Sequence, residues 1–259
     1  MSYVLWIAAG LAVLFYGLAP LVVRFSLRQS VPGYMEVLSL ADGPEPLRGF
    51  FEEGRRGLEG EGFVFQVVLR VRDLAPHQSM VAAFFAKRPE QDSAGIFAVF
   101  EEREGARSLG ALYVEICSGF VDGREVCTNN SSLLSPFSPG PDKMVFQLPG
   151  VRDAADLYRV HTRLMASASG MRPEKKAAPD KNQVADELRE DIRKELERQA
   201  ARGMFYFDGK AGAYRPTLKG AYLAAWRLLW PIKWIRGLRR DRRARLLLEE
   251  IGGVNPAAG

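Results

Sequence analysis

The residues able to do chemistry in this chain are few, and their spacing narrows what that chemistry could be. There are two histidines and two cysteines in 259 residues. His161 lies beside Leu157, Val160 and Leu164 on the apolar side of a helical pattern, the setting of a core histidine with a satisfied ring nitrogen; it is the one weak candidate for a general base. His77 follows Ala75-Pro76 in a turn and has no companion at a metal-ligand spacing. Cys117 and Cys127 flank the turn residues Asp122-Gly123. A three-residue loop makes them cross-strand neighbours, whereas a two-residue loop puts Thr128 opposite Cys117 and turns the sulfurs to opposite sides. In a reducing compartment both are expected to remain thiols, packed as small apolar residues. Thr128, Asn129, Asn130, Ser131 and Ser132 form the one polar run directly after an apolar strand; they could line a binding mouth or close the strand through Asx and Ser/Thr turns.

No G-x-S-x-G elbow, phosphate-binding glycine loop or H-E-x-x-H helix occurs. Gly57, Gly60 and Gly62 follow a helix and precede a strand, the reverse of a dinucleotide-binding turn. Glu101, Glu102 and Glu104 cluster at a strand end, where a solvated tip is expected. No cofactor, metal or catalytic site is therefore expected, and a binding role is favoured over an enzymatic one. Candidate activities left open are a lipid- or small-molecule-binding domain, with phenylalanines of 80–86 and 95–100 around an apolar pocket, and an enzyme built on His161.

These residues must be positioned by elements that the hydrophobic pattern locates. Strand-like runs fall at 35–40, 63–71, 80–86, 95–100, 111–120, 125–128 and 144–148, with helices at 44–58 and 153–165. Short links between successive strands imply an antiparallel meander with helices on one face, an α+β domain over 30–166. Residues 167–183, rich in Ala, Pro and Lys, read as a linker. Beyond it, over 184–259, come a charged helix, a small hairpin around Asp208-Gly209 and a helix capped by Thr217. The charged helix carries one narrow apolar stripe, Val184, Leu188, Ile192 and Leu196, suited to an unknown protein partner.

From Ser2 to Val23 no residue is charged, and a helix of that length would span ~30 Å. Residues 1–29 are therefore expected to be a transmembrane anchor. The first basic residues, Arg24 and Arg28, follow the run, which places the N-terminus outside and the bulk of the chain in the cytoplasm, at an inner or plasma membrane.

The net charge of +5 is a property of the tail: from Arg215 onward ten basic residues face three acidic ones, so the remainder carries −2. Trp226, Trp230 and Trp234 follow a helical i, i+4, i+8 row among Arg227, Lys233, Arg236, Arg239 and Arg240. Tryptophan beside arginine suits a segment at an anionic membrane interface. The hairpin followed by Thr217-Leu218-Lys219-Gly220 and a helix resembles the wing region of winged-helix DNA-binding regulators. No convincing recognition helix precedes it, and nucleic acid is not an expected partner. The order of anchor, domain, linker and basic tail is similar to that of bacterial single-pass membrane proteins.

Overall fold

The computed structural model describes residues 2–39, 45–103, 106–167 and 174–252. Its centre is a seven-stranded sheet in the order β1-β2-β3-β4-β5-β6-β7. The strands are β1 (Met35–Leu38), β2 (Val64–Ala75), β3 (Gln78–Lys87), β4 (Asp92–Arg103), β5 (Ala106–Gly119), β6 (Glu125–Asn129) and β7 (Lys143–Gln147). All neighbours are antiparallel except β6 and β7, which are parallel. The purely antiparallel meander expected from short links is thus corrected to a mixed sheet. A parallel partner needs a crossover of about a dozen residues or more, and the segment 130–142 is long enough to return to the starting end.

Alternation along the strands explains the layers. On β3 and β4, Val81, Ala83, Phe85, Ala94, Ile96, Ala98 and Phe100 face one core, with α2 (Glu45–Gly60) and α3 (Ala154–Ser167) upon it. Met80, Ala82, Phe84, Phe97 and Val99 face a second core on the opposite side. That second face is covered by α4 (Val184–Ala201), whose Val184, Leu188 and Ile192 pack there. Helices therefore lie on both faces, which corrects the one-sided arrangement. The stripe expected to meet a partner rests on the protein's own sheet, and Leu196 at its end is buried as well.

The C-terminal region holds the hairpin β8 (Phe205–Asp208) and β9 (Ala213–Pro216), then α5 (Leu218–Leu228) and α6 (Ile232–Glu250). Thr217 caps α5, its hydroxyl accepting the Gly220 amide at 3.0 Å. Gly220 is required by a close approach, because an added Cβ would collide with the Met204 carbonyl oxygen. Gly220→Ala is expected to lower stability by about 1–3 kcal/mol, the cost of overpacking. Urea unfolding measures this; an unchanged midpoint would show that the hairpin does not sit against the helix. At the other end of α6, Ala244 and Leu248 are buried in the α2–α3 core.

The N-terminal helix α1 (Ser2–Ser26) lies along α5. The Tyr16 ring is 6.0 Å from that of Trp226, and its hydroxyl donates to the Trp230 carbonyl. Gln29 then pairs with Tyr214, each amide donating to the other's carbonyl at 2.9 and 2.7 Å, which adds one residue to the hairpin. Among the described residues no helix is long and apolar enough to cross a membrane. The transmembrane anchor over 1–29, the single-pass topology and the membrane localisation are corrected accordingly. The run is uncharged, yet Ser2, Tyr3, Gly10, Tyr16, Gly17 and Pro20 dilute its hydrophobicity.

Part of the expected linker is also structured. The stretch around Glu174, Lys175 and Lys176 straps the end of β5: Val121 donates to the Glu174 carbonyl at 3.0 Å and Lys176 to the Gly119 carbonyl at 2.9 Å. Residues 168–173 of that stretch lie outside the described residues.

Candidate functional site

Three places gather polar or unpartnered side chains, and they differ in what they can do.

The first is a buried cluster where β4, β5 and β6 meet α3. A hydrogen bond from the Asp156 amide to the Asp153 carboxylate starts α3 and sets its register, and His161 lands on the face turned to the sheet. His161 has no exposed surface. Its Nε2 lies 3.0 Å from Ser118 Oγ and its Nδ1 2.9 Å from Thr128 Oγ1. Ser118 Oγ is in turn 2.5 Å from Asp92 Oδ1. A carboxylate can only accept, so the serine proton points to Asp92 and Ser118 accepts from His161 Nε2–H, leaving Nδ1 to accept from Thr128. The Tyr158 hydroxyl donates to Asp92 Oδ2 at 3.3 Å, and the Lys175 ammonium pairs with Asp92 Oδ1. Burial, opposed by Asp92, lowers the His161 pKa to about 4, and burial together with Asp92 raises that of the Tyr158 hydroxyl.

A serine nucleophile needs its proton directed to the imidazole and a carboxylate behind that imidazole. Here the carboxylate holds the serine proton instead, and the groups satisfy one another out of reach of solvent. This is a structural pin between α3, the sheet and the Lys175 strap. His77, by contrast, is exposed at the β2–β3 turn with φ +61°, its carbonyl accepting from the Glu102 amide.

The polar run after β6 also works internally. Asn130 Oδ1 accepts from the Val114 amide at 2.7 Å and its Nδ2 donates to the Val151 carbonyl at 3.0 Å. Asn129 Oδ1 accepts from the Ser131 amide, and Ser131 Oγ from the Leu133 amide. Its amides and hydroxyls close turns.

The second place is an open groove of about 1140 Å³ between α4, the β5–β7 end of the sheet and the 131–139 loop. Its polar wall includes Glu115, Glu125, Asn129, Lys143 and Asp191. Lys143 Nζ pairs with Glu125 at 2.8 Å. Burial works against its charge, but Glu115 and Glu125 outweigh that effect and raise its pKa. Of the phenylalanines expected around an apolar pocket, Phe84 lies on the groove wall and packs edge-on against Phe97, which stacks on Tyr113.

The cysteines lie beside the groove, next to its lining residues Glu115, Ser93 and Val145. Phe120 donates to the Arg124 carbonyl at 2.9 Å around a three-residue turn, 121–123, so Cys117 pairs directly with Cys127 in register. The two form a disulfide, which replaces the expected pair of thiols.

The third place is the surface of α1, α5 and α6. Three arginines of the tail point inward. Arg227, Arg236 and Arg240 donate to the carbonyls of Pro136, Ser135 and Ser132 at 2.9, 2.7 and 2.7 Å. Arg202 reaches the carbonyls of Ser138 and Pro139 in the same loop. This arginine comb fixes a segment that has few regular backbone partners of its own. Of the basic side chains expected at a membrane interface, Lys233 and Arg239 remain exposed.

With the arginines turned in, the tryptophans face out. Trp230 and Trp234 are 74% and 61% exposed, and Trp226 and Leu238 about half exposed. Because α5 ends at Leu228 and α6 starts at Ile232, the single helical row expected for the tryptophans is split between two helices. On α1, Trp6, Ile7, Leu14, Phe15, Leu18, Leu21, Val22 and Phe25 are exposed. The two surfaces meet where Tyr16 touches Trp226. Sequence reasoning found the tryptophans but not the apolar flank that α1 adds to them.

No protein-family model, curated protein or solved structure matches this chain.

Proposed function

We propose that the protein is a non-enzymatic binding or scaffold module that engages a protein partner through the apolar face of α1, α5 and α6. The observation that carries this reading is the number of exposed aromatic and aliphatic side chains on α1, α5 and α6, elements that touch at Tyr16 and Trp226. Extensive exposed apolar surface of this kind belongs to interaction sites, and tryptophan is the residue most enriched among binding hot spots. Lys233, Arg239, Arg242, Arg243 and Arg245 are exposed on α6, so the partner surface is apolar with an acidic rim. A protein surface is favoured over anionic lipid because Arg227, Arg236 and Arg240, which would meet headgroups, are engaged by loop carbonyls.

The test compares the full chain with Trp226→Ala, Trp230→Ala and Trp234→Ala in mild-detergent affinity purification with quantitative mass spectrometry. One stoichiometric partner is expected, with binding weakened roughly thirty-fold where a replaced tryptophan is a hot spot, about 2 kcal/mol. Melting temperatures should be unchanged for Trp230→Ala and Trp234→Ala, whose rings are mostly exposed, and lower for Trp226→Ala, whose ring packs on Tyr16. Equal recovery with all three variants would remove this face from the reading, and salt-sensitive capture by anionic vesicles instead would replace the protein partner with lipid.

The groove favours a second reading as a small-molecule site. Its charged wall suits a polar ligand, in place of the lipid that an apolar pocket would take.

A further inference from the structure

Cys117 and Cys127 stand in one cross-strand row with Ser93 on β4 and Val145 on β7. Both ends of that row line the groove. Because side chains repeat every second residue along a strand, Glu115 projects from the same face as Cys117. A carboxylate oxygen of Glu115 and the two sulfurs all lie within 4.8 Å of one another. Three potential ligand atoms thus converge from two rigid, adjacent strands.

We propose that, once the disulfide is reduced, Cys117, Cys127 and Glu115 form a binding site for a thiophilic divalent cation of the zinc class, with the fourth position on the side of Glu115, the ligand that lines the groove. Zinc holds thiolate sulfur at about 2.3 Å and carboxylate oxygen at about 2.0–2.2 Å, so donors sharing one tetrahedral ion stand roughly 3.5–4 Å apart. The observed spread needs only separation of the sulfurs and a small inward turn of the carboxylate. Asn129 Nδ2 donates to one Glu115 oxygen at 2.8 Å, which orients the carboxylate and leaves its other oxygen for the ion.

Access is asymmetric. Cys117 is partly exposed and Cys127 is fully buried. A dithiol reductant attacks Cys117 Sγ, the sulfur–sulfur bond breaks and Cys127 leaves as thiolate. The second reductant thiol then displaces Cys117 from the mixed disulfide. The reductant ends as its own disulfide, and its two electrons and two protons pass to the cysteines. Cation binding displaces both protons to solvent. The disulfide and the metal site are alternative states of the same two sulfurs, so the oxidised chain should not bind.

The experiment reduces the full chain with dithiothreitol, removes the reductant anaerobically and titrates with Co²⁺. A thiolate-to-cobalt charge-transfer band is expected to grow to one equivalent, to vanish on adding Zn²⁺ and to be absent from the oxidised chain. Cys117→Ser with Cys127→Ser should abolish the band. Glu115→Gln should retain it with affinity reduced about tenfold or more. No band in a reduced chain with native circular dichroism overturns the proposal, as does equal binding by the double serine variant. Loss of the sheet on reduction overturns it too, because the site needs β5 and β6 in register. An unchanged affinity in Glu115→Gln would remove that ligand and with it the three-donor site.

Discussion

Replacing Asp92 with alanine is expected to cost about 3–5 kcal/mol, the largest single effect foreseen in this chain. Asp92 is almost fully buried and accepts from Ser118, Tyr158 and Lys175. Removing it leaves an ammonium without its counter-ion and two hydroxyls without their acceptor. Breaking a buried ion pair at one end costs about that much, since the surviving charge stays desolvated. Lys175 is only partly buried, so it can turn to solvent and the lower end of the range applies to its share. Asp92→Asn should cost less, because the amide keeps an acceptor for Ser118. Guanidinium unfolding of the three proteins measures the series. A loss below about 1 kcal/mol for alanine would mean that the cluster holds nothing in place.

The second large effect is a pH dependence. His161 titrates at about 4 in the fold against 6.5 when unburied, mainly because burial penalises the cation. Between those values the unfolded chain holds a proton that the folded chain refuses, so stability falls as pH drops through 6.5 and levels off below about 4. The full difference corresponds to about 3 kcal/mol. Other carboxylates also lose stability in acid, so the informative quantity is the difference from His161→Gln. The glutamine variant is less stable at pH 7, and its deficit should shrink by up to about 3 kcal/mol at pH 4. A deficit constant across that range would mean that His161 is already protonated or is open to water.

How much of this was legible in the sequence depends on the range of the contact. Strand positions were readable because each run is dense in Val, Phe and Ala. On β3, however, residues of both parities are apolar from Met80 to Ala86, the mark of a strand covered on both faces. That pattern already required a second helical layer, but the narrow stripe of the charged helix, α4, pointed to an external partner when it in fact covers this face. The histidine was readable as a core residue from Leu157 and Leu164. Its partners were not, since Asp92, Ser118 and Thr128 come from three separate strands and Lys175 from a segment without periodicity. The cysteine pairing turned on one backbone bond, Phe120 to Arg124, that distinguishes a three-residue turn from a two-residue one. The arginine comb was hidden for a related reason: its acceptors are main-chain carbonyls, which composition does not display. Charge counted along the tail therefore suggested an external partner for side chains that serve the fold itself.

The contact between Tyr16 and the Trp226–Trp230 stretch joins residues more than 200 positions apart. During vectorial synthesis α1 emerges before the α5–α6 region that covers it. At roughly 5–20 residues per second, the interval between them is on the order of 10–40 s. Through that time a helix that is apolar and uncharged up to Val23 has no native surface to rest on. The sheet, whose strands pair with sequence neighbours, can close meanwhile. Whatever shelters α1 in that window decides how much of the nascent chain reaches the fold, which makes the yield of folded protein more sensitive to translation speed than its final stability would suggest.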